Sequence, residues 1–237
     1  MVVLQGHRIT SNGEIVNRDE LRLTFVGLRL VHPQQRRFQG TALHDLYAKM
    51  CRVHKFEAFE EHGDSGATFR TEGVRELHIE RGSLSLEEEV SVSFDLLKRQ
   101  FADMVKQVKE ALNIPGFFEP RMKLRALWPL PNEDASAADV LRDSTLKLTQ
   151  DQYNLLDVMS VETVGIVINS DLNESTHLYL ELTPYTRDAS QLHIDLERYS
   201  HDSLETPEVI ESWLQEFYDY YQSNLLSFIE SFMPKGS

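Results

Sequence analysis

The chain has 237 residues, 41% apolar and 26% charged, proportions that exclude a disordered polymer and leave room for one large domain or two closely packed ones. Its one cysteine, Cys51, excludes an internal disulfide framework, and no apolar run reaches the ~20 residues that a membrane helix needs. The net charge of −14 is uneven: residues 1–118 hold 16 Lys+Arg against 17 Asp+Glu, and residues 119–237 hold 8 against 21.

An acidic second half repels phosphate backbones and attracts a basic protein or cationic ligand. The only locally basic stretch runs from Arg29 through Arg36 and Arg37, a thin footprint that makes a nucleic-acid role an unfavoured reading. The opening MVVLQGHRITSNGE lacks a signal-peptide apolar core, so a reducing cytoplasm is the expected compartment.

In chain order, alternation of Leu21, Leu23 and Phe25, resuming at Leu28 and Leu30, predicts a strand over 21–31 with a bulge at Gly27. Thr41 is the expected cap of a helix carrying Leu43, Leu46, Tyr47 and Met50. Short strands over 56–61, 67–71, 75–81 and 84–92 follow, separated by glycine turns. A helix capped near Ser93, with Phe94, Leu97, Phe101, Met104, Val108 and Leu112 on one face, ends at Asn113 and Pro115.

The second half repeats that order: a strand over 121–130, a helix capped by Ser136 with Val140, Leu141 and Leu148 on one face, then strands over 161–169, 177–185 and 191–198. Thr206 and Pro207 open a last helix whose Ile210, Leu214, Phe217, Tyr221, Leu225, Phe228 and Phe232 form one stripe. Leu77-His78-Ile79-Glu80 and Leu192-His193-Ile194-Asp195 are a short local echo. The expected fold is therefore α+β: two similar β-α-β(3–4)-α halves, 1–118 and 119–237, with mostly antiparallel sheet. At fold level this resembles the helix-grip or TATA-binding-protein-like arrangement, which carries no function.

Few residues carry chemistry. Cys51 has His44 seven positions before it and His54 three after, yet no protease signature surrounds it, and a small buried thiol is the simpler reading. His54, His62, Glu57, Glu60 and Glu61 lack the spacing that fixes metal ligands. Neither a metal nor a cofactor is expected. If Leu178 to Leu182 and Leu192 to Leu196 face inward, Tyr179, His193 and Asp195 share the opposite face as weak catalytic candidates. Trp213, Phe217, Tyr218, Tyr220 and Tyr221 give the last helix a second aromatic face, and are the candidate binding residues for a protein partner or a second copy.

The C-terminal stretch QLHIDLERYSHDSLETPEVIESWLQEFYDYYQSNLLSFIESF leads an aliphatic-acidic strand into a long aromatic helix. It resembles the ending of an uncharacterised bacterial family described as sporadically distributed, whose members have similar length and two halves. The resemblance covers most of the chain in element order. It implies an accessory protein encoded near mobile or defence systems, and it implies no activity and no catalytic residue. The expectation is a non-enzymatic interaction protein. Its alternatives are a small-ligand binder with a cavity between helix and sheet, and a hydrolase using the His193, Asp195 and Tyr179 face.

Overall fold

Alternation along the strands decides which way the sheet faces. In β1 (Arg22–Val31) Val26, Leu28 and Leu30 are buried on one side, while Phe25 and Arg29 turn to the other. The computed structural model describes residues 21–33, 38, 40–130, 136–145 and 165–231. Helix α1 (Gly40–His54) is followed by β2 (Ala58–Glu61), β3 (Gly66–Thr71), β4 (Arg75–Glu80) and β5 (Ser83–Glu89), and then by α2 (Phe94–Leu112). Next come β6 (Phe117–Pro129), α3 (Ala137–Thr145), β7 (Ile166–Asn173), β8 (Thr176–Pro184), β9 (Gln191–Ser200) and β10 (Ser203–Leu204). Helix α4 (Pro207–Tyr220) closes the order, running through a π-turn at Tyr221–Leu225 into α5 (Leu226–Glu230).

The protein is α+β, and all its described strands join one antiparallel sheet in the order β2-β3-β4-β5-β1-β6-β9-β8-β7, with β10 against the start of β6. The first strand of each segment meets the other at the centre, β1 on β6, and each is flanked by the last long strand of its own segment, β5 or β9. This order is shared arrangement and not evidence of common origin. The four-residue echo falls on non-equivalent strands: His78 lies on β4, two places out from β1, and His193 on β9, directly beside β6.

The helices pack on the face that carries the buried aliphatic residues. Ser93 caps α2 by accepting the Leu96 N–H at 3.4 Å, and Asn113 ends it in the left-handed region at φ 52. Between them Phe94, Leu97, Phe101, Met104, Val105 and Val108 are buried against the sheet. At roughly 1.5–3 kcal/mol for each large apolar side chain fully buried, this stripe outweighs the helix's intrinsic propensity. Thr206 caps α4 by accepting the Val209 N–H at 3.3 Å, with Pro207 in the first turn. The two long helices pack together, and the Phe94 ring stacks on Tyr218 at 3.9 Å and 8°.

Five local expectations change. Helix α1 already includes Gly40, so Thr41 lies within its first turn and is not its cap. The irregularity in β1 lies between Leu23 and Phe25, while Gly27 keeps regular register with Glu87 and Lys123. At Gly27 the Phe25 ring comes within 3.1 Å of where a Cβ would sit, a close contact that a larger residue would relieve only by shifting that ring. Strand β6 starts at Phe117, four residues before the predicted strand. The described part of the predicted 161–169 strand is β7, which continues to Asn173; residues 161–164, like Leu148, lie outside the described residues. Asn173 accepts from the Ser175 N–H at 2.9 Å, a turn that lets the polar residues Ser170 and Asp171 serve as edge strand. Finally, the π-turn advances the phase of the last helix, so Leu226 and Ile229 enter the core and Phe228 is only half-buried. Phe232 lies outside the described residues.

Candidate functional site: the open sheet face and the base of the terminal helix

The sheet face away from the helices is built from odd-numbered positions of β1, β6, β8 and β9. Its centre is a ladder of cations on β6: Arg121, Lys123 and Arg125 stand opposite Tyr199, Glu197 and Asp195 of β9. The Asp195 carboxylate accepts from Lys123 Nζ at 2.8 Å and Arg125 Nε at 3.3 Å through one oxygen, and its other oxygen is buried without a partner. Arg121 pairs with Glu197. The Arg125 guanidinium also lies 4.8 Å from the centroid of the Phe25 ring.

These pairings decide what the catalytic candidates can do. Tyr179, His193 and Asp195 do share this face, but no hydrogen bond joins them. The Tyr179 hydroxyl donates to Glu181 at 2.9 Å, and that carboxylate, ahead of burial, raises the phenol's pKa. His193 stacks on Tyr185 at 6.4 Å, and desolvation holds its pKa below the ordinary imidazole value. Asp195 is neutralised by two cations. A base, an orienting acid and a proton donor acting in series require hydrogen-bond contact, and no such contact joins these three residues.

The sequence reading missed an acid–imidazole pair on the same face. His177 Nδ1 donates to Asp171 across the β7–β8 turn, and its ring packs against Tyr199 at 5.8 Å. The Tyr199 hydroxyl meets His201 Nδ1 at 3.0 Å. With Arg121, Asn169, Tyr179 and Glu197, the rings of His177 and Tyr199 border a shallow cavity of about 310 Å³. The signal available was the turn residue Asn173, which fixes the hairpin register and so sets Asp171 opposite His177.

In the first half, His54 is buried and does not approach Cys51 as a base. Its Nε2 donates to Asp103 at 2.9 Å, and burial lowers its pKa more than the carboxylate raises it. Around it Gln107 donates to Asp103 at 2.6 Å, and Arg75 binds Glu88 at 2.7 Å, Gln100 at 2.7 Å and the His54 carbonyl at 3.3 Å. This network ties α1, β4, β5 and α2 together. His44 instead contacts Phe59 and Glu61, and His62 bonds Thr68 at 2.8 Å. Among the described residues no group of three or more His, Cys, Asp or Glu side chains is placed to hold a metal ion.

The aromatic helix is placed differently from its reading as an exposed face. Trp213, Phe217 and Tyr221 belong to the core, and burial drives the Tyr221 phenol's pKa strongly upward. Tyr218 is held against Phe94, and Tyr220 is partly buried against the core. What α4 offers to solvent is a groove of about 470 Å³ between its first turns and the β10 loop, where Asp202, Glu208, Ser212 and Glu216 surround Leu204 and Trp213. Trp213 is 4% exposed, and its indole N–H has no acceptor. The Glu208 carboxyl accepts from its own backbone N–H and, more weakly, from Thr206, which lowers its pKa and keeps it charged.

No protein-family model matches the chain, and no curated protein matches it. The likeness to the sporadically distributed family therefore assigns no role to any of these residues. Among the described residues no helix is long and apolar enough to cross a membrane.

Proposed function

We propose that the chain is a non-enzymatic interaction protein that binds a protein partner, or a second copy of itself, through the acidic second half at its terminal helix. The observation that carries this reading is the groove beside α4, in which three carboxylates, Asp202, Glu208 and Glu216, gather around Trp213. Exposed carboxylates clustered along a groove attract a partner of opposite charge. The lack of a hydrogen bond among Tyr179, His193 and Asp195 weighs against the hydrolase reading.

A cytoplasmic location and an accessory role in a bacterial defence or mobile-element system belong to the same proposal. They rest on the lone cysteine and on the resemblance of the C-terminal stretch. The test is affinity capture together with light scattering, run on the wild type and on Glu216→Lys and Ser212→Lys, two exposed α4 positions where lysine is a good helix former. The expected result is a specific partner or self-association that both variants lose. A strict monomer that captures nothing would overturn the reading.

A further inference from the structure

We infer that β7 is a self-association edge: two copies of this chain pair their β7 strands antiparallel, about a two-fold axis at Val167, and join their sheets into one. This surface is separate from the groove beside α4, and the inference goes beyond that reading.

The sheet has two edges, and they are built differently. Edge strand β2 is four residues long and carries Glu60 and Glu61, which pair with Arg70 at 3.6 Å and His44 at 3.8 Å. A short, charged strand is a poor template for another chain. Edge strand β7 runs for eight residues without proline, lysine or arginine. Strand β8 takes its inner side, and among the described residues no strand takes its outer side. Alternate residues of β7 therefore turn their backbone N–H and C=O groups outward, where another strand can pair with them. Val167 is 60% exposed on this strand.

The occupant that fits is a second β7. A two-fold axis perpendicular to the sheet keeps each face on its own side, so it must pass through a residue and set that residue against itself. With the axis at Val167, the two exposed valines meet on the open face, and each Ile166 stands opposite Ile168 of the other copy on the helix face. Ile168 is already paired with Leu180 and Ile166 with Leu182, so the buried aliphatic row runs on across the junction. Moving the axis by one residue breaks this match, setting Val167 against Gly165 or Asn169. Cross-strand pairs of β-branched residues are the stabilising unit of such a ladder.

Charge permits the approach even though the second half is acidic. The one charged residue of β7 is Asp171, and it is bonded to His177 within its own hairpin. The nearest carboxylate on the row of Val167 is Glu181, directly opposite it on β8. Across the junction the two Glu181 residues stand three strand spacings apart, about 14 Å, which is beyond the screening length of about 8 Å at physiological salt.

The experiment is sedimentation velocity on the full chain at up to about 0.5 mM, a range that reaches the weak affinity of a short contact. The wild type is expected to dimerise. Val167→Lys and Val167→Glu, both at an exposed position, should each weaken the dimer about tenfold or more, because the axis sets like charge against like charge. An equal mixture of the two variants should recover association, since the mixed pair sets opposite charges across the axis. Glu216→Lys and Ser212→Lys, which test α4, should dimerise as the wild type does. A monomeric wild type, single variants that dimerise like it, or a mixture no more associated than its parts would overturn the inference. Partner capture that depends on Glu216 would still leave the α4 reading standing in each of those cases. Should either Val167 variant fail to fold, hydrogen exchange on the wild type decides: amides within residues 166–170 should gain protection as the concentration is raised, and unchanged exchange would overturn the inference.

Discussion

Arg75 is the residue on which most buried polar contacts converge, and it shows how charge is tolerated inside this molecule. Its side chain is 9% exposed and that of Glu88 1%, and the guanidinium satisfies Glu88, Gln100 and the His54 carbonyl at once. Arg75→Met should cost about 3–5 kcal/mol by leaving the Glu88 carboxylate buried and unpaired, and Arg75→Met combined with Glu88→Leu should recover most of that. Urea unfolding of the two variants checks it, and equal losses would show that the pair itself is the stabilising element. His54 beside it gives a pH dependence. Its neutral form faces Asp103 and Gln107 of α2, with Arg75 and Glu88 contributing from β4 and β5. Because its folded-state pKa lies below the ordinary imidazole value of 6.5, the unfolded chain binds the proton more readily. The stabilisation is complete above about pH 6.5 and is lost as the pH falls from there through the folded-state value. Stability measured from pH 7.5 to 5 should fall less steeply in His54→Gln than in the wild type. None of this was legible in the sequence: Arg75, Glu88 and Asp103 are far apart in the chain and meet only through strand pairing and the docking of α2.

At the scale of elements, what could be read was what local chemistry determines. Ser93, Asn113, Thr206 and Pro207 mark the ends of α2 and α4 because caps act within a turn. The strict alternation of Leu178 to Leu182 and Leu192 to Leu196 identified β8 and β9 and their inward faces. The polar end of the edge strand β7 and the two-residue β10 escaped notice because neither has an apolar period; they exist through register and pairing. The π-turn was equally hidden, since a stripe spaced 3 and 4 looks continuous on paper. Glycine has one decisive position here. Gly66 sits at φ 149, and a Cβ there would lie 1.8 Å from the Ile79 carbonyl oxygen. Gly66→Ala should therefore push β3 away from β4 and cost at least ~2 kcal/mol, whereas Gly63→Ala, at φ 59 with open space around it, should cost about 1 kcal/mol. Comparing their thermal midpoints separates steric conflict from backbone preference.

For the whole molecule, the segments 1–118 and 119–237 meet through the central β1–β6 ladder and through α2 against α4, so each covers part of the other's core. The expected α+β class and mostly antiparallel sheet are present, and the sheet runs continuously from one segment into the other. Charge asymmetry, also plain from composition, is expressed at α4: Glu208 and Glu216 are on its exposed side, while the aromatic residues expected beside them are largely core. The sequence marked out this helix but not its exposed chemistry, because the stripe turns into the core and Tyr218 of the second aromatic face turns toward α2, which packs alongside it. Hydrogen exchange on the chain with its captured partner bound tests the central claim most directly. The account predicts protection concentrated at residues 202–216, along the groove and the first turns of α4. Protection confined to the open sheet face, around His177, Tyr179 and Tyr199, with 202–216 unchanged, would contradict it.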